Sequence, residues 1–162
     1  MAVYYSFHYE RDVHRVQLVR NMGAISGQTL LSAQDWEKVR QQGSDAIANW
    51  IDDQMKWKSA LIVLIGKETA NRPWVQYEIQ RAWDTQKPML GICIHGLSAL
   101  GQTDTAGPDP FTNIEGYAGS NPGLPIFDPT VRDLYGDIDT KATYNKLEDN
   151  LQYWAGRGRK RI

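Results

Sequence analysis

One uninterrupted run of aliphatic residues, ALIVLIG at residues 60–66, constrains the fold of this chain more than any other feature. A strand with one face in solvent alternates apolar with polar residues, whereas this run is apolar throughout. It therefore predicts a strand that is covered on both faces. The run MLGICI at residues 89–94 has the same character. Strands of this kind are typical of parallel sheets with helices on both sides.

Further strands and helices alternate around these two runs. Strands are predicted at residues 2–7, more weakly at residues 29–31, and as a short edge strand at residues 124–127. Apolar residues at three- and four-residue spacing predict helices. These helices cover residues 11–21, 44–57 and 71–83 and the closing stretch that contains Leu147 and Leu151. A helical turn is predicted near Trp36. This alternation predicts an open, parallel α/β sheet.

The chain of 162 residues is expected to form a single domain, residues 1–162. Residues 96–125 are rich in Gly, Pro, Asn, Asp and Ser, and they predict one long loop. Such a loop inside a compact domain is uncommon and is usually functional or mobile. The sequence GRGRKRI at residues 156–162 is interpreted as a basic, solvated tail.

Charge and composition argue against several classes of function. The formal net charge of -1 predicts no bulk binding to nucleic acid or to an acidic membrane surface. The longest apolar run is too short to span a bilayer, and the N-terminal residues lack the pattern of a signal peptide. The single cysteine, Cys93, excludes an intrachain disulfide framework and fits a reducing compartment. A cytoplasmic protein is therefore expected.

Several catalytic and cofactor motifs are missing from the sequence. No GxGxxG follows the first strand and no GxxxxGK[ST] occurs, which disfavours a dinucleotide-binding fold and a P-loop NTPase. The three histidines, His8, His14 and His95, lack metal-ligand spacing, so no metal site is expected. A hydrolytic triad built on Ser6 is disfavoured because the nucleophile-elbow context is missing.

Glu78 interrupts the apolar face of the predicted helix at residues 71–83. At about 100° per residue, the apolar side chains of this helix form one continuous arc, and Glu78 falls about 40° from Trp74 within it. A carboxylate in this position lies either at the rim of a packed face, paired with Arg72 or Arg81, or at the edge of a cleft. Open α/β sheets bind ligands at the carboxyl ends of their strands, and the segment GKETANRPWVQYE, which contains Glu78, follows such an end.

Three stretches of the sequence resemble the TIR domain, and more narrowly the TIR-like, NAD-consuming proteins of bacterial Thoeris antiphage defence systems. They are VYYSFHYERD, SALIVLIGKETANRPWVQYEI and KPMLGICIHGL, and the resemblance covers roughly residues 2–97. The most specific part is the Trp-x-x-x-Glu spacing from Trp74 to Glu78. The resemblance implies an α/β, flavodoxin-like three-layer fold with a central, mostly parallel sheet of about five strands.

The resemblance also implies which residues form the site. In TIR enzymes the helix glutamate is catalytic, and it corresponds to Glu78 here. The residues after the first-strand serine line the nucleotide pocket, and they correspond to Phe7 and His8. Ser6 is expected among the substrate-binding residues, in a capping or orienting role. Trp74 is expected either to stack against a flat ring of the ligand or to serve in packing.

A further TIR element, the BB loop, is expected at residues 32–37, which include Asp35 and Trp36, although this segment departs from the commoner TIR pattern. His95 lies at the ligand-binding edge of the sheet, and a structural role is expected for it. NAD enters as the substrate, and the resemblance requires no cofactor and no metal.

The implied chemistry suits these residue types. The nicotinamide of NAD is already a cation, so its departure needs no strong general acid. The enzyme must instead stabilise an oxocarbenium-like ribosyl centre and orient the ribose, and one carboxylate can do both. Aromatic faces such as those of Phe7 or Trp74 can hold flat rings by stacking. A partly desolvated glutamate is expected to have a raised pKa.

The resemblance implies an ADP-ribose-derived signal, cyclic or related, that activates a separate effector protein after a phage-derived trigger, with self-association through TIR surfaces. The alternative is a catalytically silent TIR scaffold that acts by TIR–TIR assembly, although a scaffold has no need of Glu78 in the apolar arc. A flavodoxin-like binding or response-regulator domain is disfavoured, because clustered acidic residues after the first strand are missing.

Overall fold

The computed structural model describes residues 1–28 and 33–162, and for residues 33–36 it describes the backbone alone. The strands are β1 (Ala2–Ser6), β2 (Ser26–Gly27), β3 (Ala60–Ile65), β4 (Met89–Cys93) and β5 (Ile126–Phe127). They form one sheet in the order β2–β1–β3–β4–β5, and all four neighbouring pairs are parallel. The helices are α1 (Tyr9–Asn21), α2 (Ala33–Gln41), α3 (Ser44–Met55), α4 (Pro73–Asp84) and α5 (Thr140–Ala155).

The sheet is buried between two apolar layers, and this confirms the three-layer α/β prediction. All six residues of β3 are buried, and their side chains alternate between the layers. Ala60, Ile62 and Leu64 pack in the layer that contains α1 and α5. Leu61, Val63 and Ile65 pack in the layer that contains α3 and α4. Because each face of the strand meets helices, no position in the run could be polar.

Two predicted elements differ from the structure at their boundaries. Helix α1 begins at Tyr9, two residues before the predicted start. His8 is extended and acts as its N-cap residue, and the Asp12 N–H donates to the His8 carbonyl at 2.9 Å. The acidic Glu10 and Asp12 favour this early start because they lie at the positive end of the helix dipole. The edge strand lies at Ser26–Gly27, and the strand predicted over residues 29–31 falls outside the described residues.

The long segment at residues 96–125 is packed onto the domain. Phe111, Ile114 and Leu124 are buried in the layer that contains α3 and α4. On the other side, the Arg15 guanidinium donates to the carbonyls of Leu97 and Gln102, each at 3.0 Å. This segment therefore contributes core side chains and accepts hydrogen bonds from α1.

The basic tail at residues 156–162 is mostly exposed, as predicted, but its backbone also pairs with the start of β4. The Arg159 N–H donates to the Met89 carbonyl at 2.9 Å, and the Met89 N–H donates to the Arg159 carbonyl at 2.8 Å. This is possible because the two-residue β5 pairs only with Gly91 and Ile92, leaving the start of β4 open on that side. In the described part of the chain, no helix has the length and apolar character needed to cross a membrane.

Candidate active site

Glu78 points from α4 into the space above β1. The Ser6 hydroxyl donates to Glu78 Oε1 at 2.9 Å, and the Tyr4 hydroxyl is hydrogen-bonded to the same carboxyl group. Tyr4 and Ser6 are two positions apart on a strand, so their side chains lie on one face of the sheet. Glu78 is only 7% exposed, and Ser6 and Tyr4 are buried beside it.

Burial raises the pKa of Glu78 from 4.5 to about 8, because an anion is poorly stabilised away from water. The hydrogen bonds from Tyr4 and Ser6 act in the opposite direction, since they stabilise the charged form. Burial and the nearby Glu78 raise the pKa of Tyr4 well above 10, so this phenol remains a proton donor. The sequence-based expectation of a raised pKa for Glu78 is confirmed.

The alternative in which Glu78 forms a rim ion pair with Arg72 or Arg81 is wrong. Arg72 lies 3.6 Å from Glu10 Oε2, and Arg81 Nε lies 3.2 Å from Asp52 Oδ1. Both cations are therefore engaged elsewhere. Glu78 is held by two neutral hydroxyl groups instead, which explains why desolvation dominates its pKa.

Tyr4 is the residue at this site that the sequence analysis missed. Its position two residues before Ser6 in a predicted strand would have placed both side chains on one face.

We expect the substitutions Tyr4→Phe and Ser6→Ala each to raise the pKa of Glu78 further, by about one pKa unit. Each removes a donor that stabilises the carboxylate, and the rise should be larger for Tyr4→Phe, whose hydrogen bond contributes more. The measurement is an NMR titration of the Glu78 side-chain carboxyl carbon. Ser26→Ala is the matched control, because Ser26 is an exposed strand serine. A pKa that falls in either variant would contradict the assignment.

A cleft of about 260 Å³ opens beside the end of β1 and the first turn of α4. Phe7, His8 and Trp74 all line it, so the structure brings together three of the predicted site residues. Among the described residues, Glu78 and Ser6 do not line this cleft. The prediction that Glu78 lies at the edge of a ligand cleft stays a prediction. The helix face carrying Glu78 packs directly on Tyr4 and Ser6, and this packing buries the carboxylate.

His8 is 7% exposed and lies between two carboxylates. Its Nδ1 is 3.5 Å from Glu10 Oε2, and its Nε2 is 4.0 Å from Glu68 Oε2. Phe7 is partly buried, and its ring centroid lies 6.0 Å from that of Tyr9. Trp74 is also partly buried and meets Tyr77 edge to face, with the ring centroids 5.4 Å apart. Part of each aromatic surface is thus left for the cleft.

Two arginines bring positive charge to the same cleft. Arg40 and Arg72 both line it, and each lies close to the single carboxylate of Glu10, at 3.5 and 3.6 Å. A guanidinium binds carboxylates and phosphates alike. The cleft therefore combines flat apolar surface with two groups suited to an anionic ligand. Sequence analysis did not identify either arginine as a cleft residue.

Most side chains of the segment proposed as the BB loop, residues 32–37, fall outside what the structure describes. Helix α2 begins at Ala33, so its backbone is helical where a helical turn was predicted. The side chains of Asp35 and Trp36 fall outside the described residues, and their suggested roles stay predictions.

Elsewhere, the described residues include one group of three possible metal ligands, Cys93, His95 and Asp128.

Comparison with known proteins gives two findings. The family model described as "Thoeris protein ThsB, TIR-like domain" matches residues 4–99. A protein of Bacillus cereus (strain MSX-D12), named "Putative cyclic ADP-D-ribose synthase ThsB1", is 32% identical over 127 residues. The aligned region covers 75% of this chain and 66% of that relative, so the chain matches just under two thirds of the relative's length. Tyr4, Ser6, Trp74 and Glu78 all lie within the matched family region.

Proposed function

Because this chain belongs to the family of TIR-like domains of the Thoeris protein ThsB, we propose that it cleaves the nicotinamide–ribose bond of NAD. The product we propose is a cyclic isomer of ADP-ribose or a related nucleotide. In this proposal the nucleotide diffuses to a separate effector protein, and a phage-derived trigger switches production on. The protein would act in the cytoplasm and self-associate through TIR surfaces.

The observation that carries the proposal is the setting of Glu78. A buried carboxyl group held by Ser6 and Tyr4, with no cation paired to it among the described residues, is costly for stability. Groups with strongly shifted pKa values concentrate at functional sites, because reactions need such groups. A scaffold gains nothing from this arrangement, whereas a reaction that develops positive charge does.

Glu78 would act on the ribose, and its raised pKa fits that role. With a pKa of about 8, most of the carboxyl group is protonated in the empty site near pH 7. The positively charged nicotinamide ribosyl unit would favour the carboxylate, since an opposite charge nearby stabilises the ionised form. The proton would therefore leave as NAD binds. The resulting anion would stabilise the oxocarbenium-like centre as nicotinamide departs.

The cleft would hold the rest of the substrate. Phe7 and Trp74 offer ring surface for stacking, and Arg40 and Arg72 offer charge for the pyrophosphate. Glu10 occupies both arginines in the free protein, so the pyrophosphate would have to displace its carboxylate. Because Glu78 is 7% exposed, the groups above it would have to move for the ribose to reach it. We assign that movement to NAD binding and self-association.

The burial of Glu78 supports cyclisation over hydrolysis. An oxocarbenium-like centre reacts with whichever nucleophile reaches it first, and a closed site keeps water out. A dinucleotide folded by stacking in the cleft would present its own adenine nitrogen to the ribosyl centre. A new bond from that nitrogen to the anomeric carbon would replace the broken bond to nicotinamide, and a proton would be released.

The proposal is tested by incubating purified protein with NAD and following nicotinamide and nucleotide products by chromatography and mass spectrometry. The assay is repeated in lysate from phage-infected cells, which supplies a trigger. We expect nicotinamide release with a product lighter than ADP-ribose by one water molecule. Product at the mass of ADP-ribose would indicate hydrolysis instead. If NAD is consumed under neither condition, the enzymatic proposal is contradicted and the catalytically silent TIR scaffold is favoured.

A further inference from the structure

Cys93, His95 and Asp128 form a cluster at the carboxyl end of β4 and β5. One possible ligand atom from each residue lies within 4.8 Å of the other two. Cys93 is partly exposed and Asp128 is exposed, whereas His95 is 3% exposed. The cluster therefore has a buried floor and a side that solvent can reach.

The sheet register brings the three residues together. Ile92 of β4 pairs with Phe127 of β5, so the next residues along, Cys93 at the end of β4 and Asp128 just after β5, lie side by side. His95 follows Cys93 by two positions just beyond the strand. Two ligands therefore come from one strand end and the third from its parallel neighbour, at the edge where open α/β sheets bind ligands.

His95 has hydrogen-bonding capacity that the described residues leave unused. Its Nδ1 is buried and has no hydrogen-bond partner among them, while its Nε2 lies 3.3 Å from Thr130 Oγ1. Buried polar atoms normally find a partner, and an exception indicates a missing water, ion or ligand. A bound cation would supply that partner.

Thr130 holds two of the three side chains in place. Besides its contact with His95, its backbone N–H donates to Asp128 Oδ1 at 2.9 Å. In metal sites, the ligands are commonly fixed by hydrogen bonds from a surrounding group of this kind.

We propose that Cys93, His95 and Asp128 bind a divalent cation of the zinc class, with a fourth coordination position open to solvent. Thiolate, imidazole and carboxylate are the three ligand types that Zn²⁺ takes in proteins. One thiolate and one carboxylate balance the charge of a divalent ion. Binding would form an S–Zn bond in place of the S–H bond of Cys93 and release that proton to solvent.

This proposal departs from the expectation that the chain has no metal site. That expectation rested on the spacing of histidines and cysteine, which is uninformative when one ligand comes from a distant strand. The proposal is independent of NAD cleavage. A metal at this point would tie the two-residue β5 to the end of β4. It would also fix His95, whose carbonyl accepts a hydrogen bond from the Asp104 N–H at 2.9 Å.

The site is tested by equilibrium dialysis of the full chain against Zn²⁺ and by titration with Co²⁺, whose spectrum reports thiolate coordination. We expect one equivalent of Zn²⁺, a thiolate-to-cobalt charge-transfer band, and a higher melting temperature with Zn²⁺. Cys93→Ser should remove the band, and Asp128→Asn should weaken Zn²⁺ affinity at least tenfold. Thr130→Val should weaken it by about ten- to a hundredfold, as expected for a supporting group.

The matched controls are His14→Gln and Asp45→Asn, which remove an exposed imidazole and an exposed carboxylate elsewhere. Both should bind one equivalent of Zn²⁺ with the affinity of the unmodified chain. The proposal is overturned if the unmodified chain binds no Zn²⁺, or if Cys93→Ser and Asp128→Asn both bind it equally well. Circular dichroism of each variant identifies any loss of binding that reflects unfolding. Because Asp128 is exposed, Asp128→Asn is the variant that should disturb folding least.

Discussion

Replacing Glu78 with glutamine is expected to slow NAD consumption by a hundred- to a thousandfold. The substitution keeps the size of the side chain and removes the negative charge that would stabilise the ribosyl centre. Removing one stabilising group from a water-excluded site typically has an effect of this size. The measurement is the rate of nicotinamide release at saturating and at limiting NAD, compared with the unmodified protein.

Asp84→Asn is the matched control for this prediction. Asp84 lies on the same helix, α4, and is exposed, so the substitution removes one carboxylate from the same element. Its rate should equal that of the unmodified protein. A Glu78→Gln variant that stays folded and releases nicotinamide at the normal rate would assign the chemistry to another residue. An equal loss in both variants would point to a general effect of charge.

Glu78→Gln is also expected to stabilise the fold. In the unfolded chain Glu78 would ionise near its ordinary pKa of 4.5, whereas in the folded protein it does so only near 8. Between these values the folded state retains a proton that the unfolded state has lost, so stability falls as the pH rises. At pH 7 the loss is on the order of 3 kcal/mol, and glutamine avoids it.

Urea unfolding from pH 5 to pH 9 provides the measurement. The difference in the free energy of unfolding between Glu78→Gln and the unmodified protein should grow from about pH 4.5 to about pH 8 and then level off. The exposed control Asp84→Asn should give only a small difference across this range, since solvent screens its charge. A difference that shrinks as the pH rises would show that the pKa of Glu78 is lowered in the fold.

Together these two results would describe a residue kept for chemistry at the expense of stability. Loss of activity with a gain in stability is the usual relation at a strained functional site. If Glu78→Gln gained stability while the unmodified protein consumed no NAD, the burial of Glu78 would be confirmed and the proposed enzymatic activity would be contradicted. The two measurements therefore separate the structural description of Glu78 from its proposed role.

Much of the framework followed from local patterns. The run at residues 60–66 predicted a strand covered on both faces, and β3 is buried at every position. The short LPIF stretch predicted an edge strand, and β5 is one. These predictions succeeded because burial of a whole element imposes a residue pattern that is visible without knowing its neighbours. The edge strand β2 is only two residues long, and it carries no pattern of that kind.

The site was less accessible to such reasoning. Glu78 was identified by its position in an apolar arc and by its resemblance to TIR enzymes, but its partners were not. Tyr4 and Ser6 meet it only because α4 packs on the face of the sheet that carries their side chains, and that placement depends on the packing of the whole layer. The same holds for Arg72 and Arg81, which pair with Glu10 and Asp52 instead of Glu78.

The sequence by itself determined the alternating elements, the two doubly covered strands and the residue that interrupts an apolar helix face. These features depend on periodicity, which the chain carries locally. Only the tertiary structure decided that Glu78 is buried with two hydroxyl donors, and that Cys93, His95 and Asp128 meet at one edge. Such contacts join residues far apart in sequence, because strand order and helix crossing set them, and no short segment encodes either.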